Sequence, residues 1–437
     1  MSRLAISGGT PVRSTPYPDW PSLDEADVDA VTAILRGGQV GGFPEPGPKA
    51  AEFAAGFAAY QGAAHGIVMA NGTVTMEVAL KALGVGWGDE VIVPALTFAA
   101  TPYAAIASGA LPVFVDVEPE RWTIDPDLVE AAVTPRTRAI MPVHLGQQMA
   151  DMDRIMEIAR RHGLAVIEDC AHALGATYRG APVGTLGDAA LFSFQVLKPL
   201  NTFGGGAAYT RHDGLGRRLA EIARAEPWPS PERVLRRIRA ARFERALMRP
   251  SVFSATLFPI LWAASFFRAR PDVYLWEKVR PLWPLPEGYA ERYSNVQASV
   301  GLAALDRLDE WTETTRIHAR FMSSALADCG GLALPPEPAD RTHVYYQYCV
   351  YPLDRERVVR RSLRAGLDVE YHHMDVCPDL PLFSASRAEV PGARRTMDAL
   401  QLPIHAGLSA PDLERVARRF RRAVTPPPSA PKHLRPA

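Results

Sequence analysis

The sequence predicts an α/β fold in which a mostly parallel sheet carries helices on both faces, joined to a smaller α+β domain toward the C-terminus. Two observations carry this. Short apolar runs alternate with helical runs from about Gly66 to Arg211, and strands separated by helices become parallel neighbours with the helices packed outside. After Asn295 the pattern changes. A helical stretch over Val296–Arg320 leads to the β-rich run Val344–Tyr351, then a helix over Arg355–Ala365 and another over Pro411–Arg422.

Within the alternating region the expected strands are Val91–Val93, Pro112–Val115, Ala139–Val143, Leu164–Glu168, Ala189–Phe194 and Ala207–Thr210, with helices between them such as Asp151–Arg161. Each strand is short and mostly apolar, as a strand covered on both faces must be. The division this suggests is an N-terminal arm and large domain over 1–225, a helical insertion over 226–287, a linking helix and small domain over 288–424, and a disordered tail over 425–437. The tail is the proline-rich Thr425-Pro426-Pro427-Pro428-Ser429-Ala430-Pro431.

At 437 residues and 47% hydrophobic content the chain supplies a full core for two or three domains. Its formal charge is zero, so no net field draws nucleic acid. Cys170, Cys329, Cys349 and Cys377 have no CxxC spacing, which points to neither a metal site nor a disulfide framework. The start lacks the long apolar stretch of a signal peptide, so a cytoplasmic location is expected.

The insertion qualifies that expectation. Pro231–Pro250 reads as an arginine-rich helix, with Arg233, Arg236, Arg237, Arg239, Arg242 and Arg245. An uncharged run over 251–267 follows, with an expected break at Pro259. It falls short of the roughly 20 residues of a spanning helix. Three readings stand: a helical hairpin at an oligomer interface, a basic and apolar pair resting on a membrane surface, or a true span.

The chemistry concentrates on one residue. The chain has five lysines, Lys49, Lys81, Lys198, Lys278 and Lys432, among 48 basic residues. Lys198 follows the apolar run Phe192-Ser193-Phe194 and precedes Gly204-Gly205-Gly206. A lysine can form a Schiff base when its surroundings lower its pKa, whereas an arginine cannot. Upstream, Leu164-Ala165-Val166-Ile167-Glu168-Asp169 reads as a strand ending in two carboxylates. Pyridoxal phosphate needs a lysine for its aldehyde and an acid for its ring nitrogen. Ligands of open α/β sheets sit at the carboxyl ends of the strands, where both groups would fall. Asn71-Gly72-Thr73 opens a helical run, and a helix N-terminus suits a phosphate.

Several segments in order resemble the sugar aminotransferases of the DegT family, which are fold-type I pyridoxal phosphate enzymes. They are Asn71-Gly72-Thr73, Gly88–Pro94, Thr97-Phe98, Pro112–Val117, Pro142–Leu145, Ile167–Gly175 and the Lys198 segment. The resemblance runs from about Leu4 to about Arg422, and the opening stretch from Ile6 to Pro21 is similar to the branch acting on cyclitols. It implies Lys198 as the Schiff-base lysine and Asp169, rather than Glu168, as the partner of the ring nitrogen. It places Phe98 on the cofactor ring, unless that residue is ordinary core, and His172 near the phenolic oxygen, unless it is a satisfied structural histidine. Gly72, Thr73 and Ser193 would hold the phosphate. Gly288–Ala298 is similar to the family stretch that enters a neighbouring subunit, which implies a homodimer with shared sites and Arg292 reaching the phosphate across the interface. Ala290 and Gly204 depart from the family pattern, where Asn and an acid are usual. His343 and His405 match positions near the substrate. The implied reaction moves an amino group from a small-molecule donor, L-glutamate by family default, to a keto-sugar or keto-cyclitol acceptor. A lipid-linked keto acceptor at a membrane and a non-catalytic regulator are the rivals.

Overall fold

The computed structural model describes residues 25–37, 48–146, 148–195, 198–247, 249–264, 287–367, 369–372 and 374–425. The opening stretch that resembles the cyclitol branch, the end of the insertion and the tail beyond Thr425 lie outside the described residues.

Seven strands form the main sheet: β1 His65–Met69, β2 Glu90–Pro94, β3 Leu111–Val115, β4 Thr137–Ile140, β5 Ala165–Asp169, β6 Ala189–Ser193 and β7 Gly206–Thr210. Their order is β1-β7-β6-β5-β4-β2-β3. All neighbours are parallel except β7, which runs antiparallel to both β1 and β6. The carboxyl ends of β1, β5 and β6 therefore share one edge of the sheet, and the amino end of β7 meets them there. Gly206 pairs with Met69 on one side and Ser193 on the other. The expected Ala139–Val143 strand ends early, at Ile140, because Pro142 has no N–H to donate to a ladder.

Two apolar clusters cover the sheet's two faces. One gathers Ile67, Val78, Val91, Val93 and Leu191, the other Phe57, Ile92, Ile140, Val166 and Phe192. Alternation along each strand splits the strand residues between the faces, while Val78 and Phe57 come from helices packed on them. The helices over the sheet are bounded by their own chemistry. Helix α1, Met152–His162, begins at Asp151, whose carboxylate accepts from the Arg154 N–H at 3.4 Å, and ends at Gly163 with φ 66°.

The C-terminal part is a four-stranded antiparallel sheet of Leu332–Ala333, Tyr348–Pro352, Leu400–Leu402 and Glu370–Tyr371, packed on helices Arg355–Arg364 and Ala410–Val424. Short pairings outside the main sheet join it to the preceding part of the chain: Asp375–Val376 with Leu96–Thr97, and Arg341–Thr342 with Thr177–Tyr178.

Three expectations need correction here. The single helix over Val296–Arg320 is two, Asn295–Leu305 and Leu308–Leu326, parted at Asp306 and Arg307, where Arg307 turns aside to Asp27 at 2.7 Å. The β-rich run from Val344 forms a strand only from Tyr348, because Tyr345 sits at φ 48° and breaks the extended path. The apolar run of the insertion breaks at Thr256 (φ −116°, ψ −73°), between helices Pro250–Ala255 and Leu257–Ala264. Pro259 lies in the first turn of the second of these, where the missing N–H had no partner to lose.

Candidate active site

Strand β5 ends in two carboxylates that point to opposite faces. Glu168 is fully buried. Its oxygens accept from the N–H groups of Gly184 (2.9 Å), Leu186 (2.8 Å) and Gly187 (2.6 Å), and the His144 Nε2 lies at 3.1 Å. The other nitrogen of His144 accepts from the Ala150 N–H at 3.2 Å, which leaves the proton on Nε2, donating to Glu168. Burial would raise the Glu168 pKa, but the His144 hydrogen bond and the backbone donors outweigh it and hold the carboxyl below its usual range. His144, Glu168 and Cys170 lie close enough together to suggest an ion. His144 and Glu168 are already engaged by these hydrogen bonds and burial pushes the Cys170 thiol up, away from the thiolate a metal would need, so the cluster is a brace for the end of β5.

Asp169 faces the other way. Its Oδ2 accepts from the Thr101 hydroxyl at 2.8 Å and its Oδ1 from the Ala171 N–H at 3.0 Å. Thr101 is held in turn by Thr97 at 3.0 Å. Burial pushes the Asp169 carboxyl up, against the pull of those two donors and of Lys198.

Lys198 lies in the turn after β6, with its N–H bonded to the Gln195 carbonyl at 2.8 Å. It is 8% exposed. Burial lowers its amine from 10.5 to about 7, with Asp169 acting in the opposite sense. Each group senses the other's charge, yet no ion pair joins them among the described residues. The Lys198 Nζ stands 4.4 Å from the centre of the Tyr346 ring. On that same ring, at 4.3 Å between centroids, lies His172. His172 accepts from the Gly146 N–H on Nδ1 at 3.3 Å, so its proton sits on Nε2. Burial, then the charge of Lys198, keeps the imidazole neutral, well below its ordinary pKa.

The lowered amine has a consequence for stability. Between about pH 7 and 10.5 the unfolded chain carries a proton on Lys198 that the folded chain lacks. Stability therefore rises with pH through that window, and the cost of burying the ammonium is fully present below it. Cofactor-free Lys198→Met is expected to melt above the wild type at pH 6.5, with the gap closing toward pH 9.5. A gap that does not change with pH in thermal melts would contradict this burial.

The helix Gly72–Ala82 starts at the same edge, after β1. Asn71 caps it, accepting from the Val74 N–H at 2.9 Å, and its own amide donates to the Tyr289 carbonyl at 2.9 Å. The helix comes this close because Gly206 has no side chain: a Cβ there would lie 2.6 Å from the Gly72 Cα. A Cβ on Gly72 would in turn lie 3.7 Å from the Ser193 hydroxyl. Gly72 and Thr73 thus open the helix, with Ser193 beside its first residue. Gly204 and Gly205 sit at φ 109° and 122°, which explains why Gly204 departs from an acid.

Phe98 is 44% exposed, so it is not a core residue. Arg292 lies next to the capping loop, paired with Met69 through the backbone. Its Nε donates to the Glu226 carbonyl at 2.8 Å and its guanidinium lies 4.7 Å from the centre of the Trp228 ring. His343 and His405 make contacts with other residues. The buried His343 ring packs against Tyr345 at 5.7 Å between centroids, and the His405 carbonyl accepts from the His318 Nδ1 at 3.2 Å. Burial drops His343 to about 3, ahead of its neighbours Arg341 and Arg316.

Sequence reasoning missed Thr101 and Tyr346. Thr101 carried a signal, since it stands one helical turn beyond Thr97. Tyr346 carried none, because it sits in an aromatic run that reads as strand.

An amine of lowered pKa, a buried carboxylate that senses its charge, and a helix N-terminus beside a hydroxyl are the donor set that pyridoxal phosphate requires.

The model of the DegT/DnrJ/EryC1/StrS aminotransferase family matches residues 21–227 and 266–421. A putative L-glutamine:3-amino-2,3-dideoxy-scyllo-inosose aminotransferase of Streptoalloteichus tenebrarius is 51% identical over 205 residues, 47% of this chain and 49% of that protein. The chain thus spans about half the length of that relative. A protein of the same name from Micromonospora echinospora is 35% identical over 379 residues, covering 84% of this chain and 79% of its own. Among solved structures, S. venezuelae DesV in complex with a ketimine intermediate superposes with a TM-score of 0.72 at 30% identity, covering 93% of this chain and 98% of DesV. The chain belongs to the DegT/DnrJ/EryC1/StrS aminotransferase family, whose cofactor is pyridoxal phosphate.

Proposed function

We propose that this protein transfers an amino group from L-glutamate or L-glutamine to the ketone of a cyclitol or sugar. The observation that carries the reading is Lys198, a buried amine brought to about 7, at the strand edge where Asp169 is also buried. The names of the relatives support a cyclitol ketone as acceptor.

When bound, pyridoxal phosphate supplies an aldehyde that links to an amine and a ring that withdraws electrons. Lys198 is the amine we assign to that linkage. Once displaced by the donor, its Nζ, held by burial well below the usual lysine range, is suited to take the proton from the donor's Cα and give it up again. Asp169 is assigned to hold a proton on the ring nitrogen, with Thr101 and the Ala171 N–H fixing the carboxylate. The backbone N–H groups of Gly72 and Thr73 and the Ser193 hydroxyl are assigned to the phosphate, and Phe98 to the ring face. His172 offers its Nε2–H to the phenolic oxygen. Tyr346 covers the lysine and steadies His172. We further assign a homodimer in which Arg292 reaches the partner's phosphate, and His343 and His405 to the substrate side.

The test is a pair of half-reactions. Protein loaded with pyridoxal phosphate should lose its visible absorbance on adding L-glutamate or L-glutamine, and regain it on adding a keto-cyclitol or keto-sugar. Failure of the first step with both donors would sink transamination. Failure of the second with every such ketone would sink the acceptor class alone.

A further inference from the structure

The two blocks matched by the family leave out residues 228–265, the segment that forms helices α2 Pro231–Leu247, α3 Pro250–Ala255 and α4 Leu257–Ala264. Between Trp228 and Ser265 the sequence holds seven arginines and two glutamates, a net of +5 in a chain whose formal total is zero. From Pro250 to Phe267 it holds no charged residue.

The base of α2 is anchored. Val234 is buried against Ile34 and Val296, and Arg233 pairs with Glu291 and, at 2.6 Å, with Glu287. Beyond that anchor the surface changes character. Arg236 and Arg239 are exposed and have no ion pair among the described residues. Phe243 is 70% exposed and Ile260 is 65% exposed, while Phe253, Phe258 and Trp262 are only partly covered. No described helix is long and apolar enough to cross a bilayer.

We propose that this insertion docks the protein on an anionic lipid surface, the arginines of α2 meeting headgroups and the apolar side chains of α3 and α4 entering the interface. Charge decides between this and a self-interface. A two-fold contact sets a patch against its own copy, which would bring the exposed Arg236 and Arg239 toward like charges on the copy, whereas an anionic leaflet attracts both. Aromatic and apolar side chains beside a basic stretch are what an interfacial element presents. The proposal does not rest on the catalytic reading, because the anchor and the exposed faces are separate from Lys198.

The experiment is flotation of the full-length protein, loaded with pyridoxal phosphate, on two kinds of vesicle: phosphatidylcholine alone, and phosphatidylcholine with phosphatidylglycerol. Co-flotation is expected with the anionic vesicles only, weakening as salt rises. Arg236→Glu with Arg239→Glu should lower partitioning roughly tenfold or more, and Ile260→Asp should also lower it. The donor half-reaction should be unchanged in both variants, which controls for folding. Absence of flotation on anionic vesicles would overturn the proposal, as would flotation untouched by the charge reversal. So would a fall in solution mass on Ile260→Asp without any vesicle binding, which would make the face a contact between copies.

Discussion

Lys198→Ala is expected to reduce amino transfer by about 10⁴-fold or more, since it removes both the covalent partner and the proton carrier. The two other described lysines are engaged elsewhere. Lys81 is committed to Glu77 at 2.5 Å and Lys49 to Glu52 at 2.7 Å. The fold should survive, because alanine relieves the cost of a buried ammonium. Steady-state assay of product amine with the folded variant checks this, and turnover within tenfold of the wild type would contradict it.

Asp169→Asn is expected to cost the second-largest amount. It keeps the shape and removes the charge. The asparagine oxygen can still accept from the Ala171 N–H, while its amide can donate to Thr101, whose hydroxyl is free to turn toward Thr97. What is lost is the partner of a buried cation on the ring nitrogen. Removing one member of a buried charged pair costs about 3–5 kcal/mol, or roughly 10²- to 10⁴-fold in turnover. Asp169→Glu should recover part of the loss, and urea melts of Asp169→Asn should stay close to wild type. A variant that turns over normally would remove Asp169 from the chemistry.

The strand edge was legible because it is written in local patterns. Strand β5 ends in acids, β6 runs into the only lysine near a glycine run, and β1 leads to a capped helix; each signal lies within about ten residues. The choice between Glu168 and Asp169 needed the resemblance; in the structure, alternation turns one acid toward His144 and the other toward Thr101. The contacts made by Tyr346, and the bond from Thr101 to Asp169, were illegible because they arise between segments far apart in sequence; only the pairing of Thr101 with Thr97 is local. The kink at Tyr345 that ends the extended run before β-pairing begins at Tyr348 is a tertiary choice, unfavourable locally for tyrosine. In the insertion, Pro259 drew attention as a breaker, but its position in a first turn made it harmless, and the break moved to Thr256.

The most direct test is to reduce the protein loaded with pyridoxal phosphate using borohydride, digest it and locate the pyridoxyl group by mass spectrometry. The account predicts the label on the peptide containing Lys198. Label on the peptide of Lys81, Lys49 or another lysine, or on none, would contradict it.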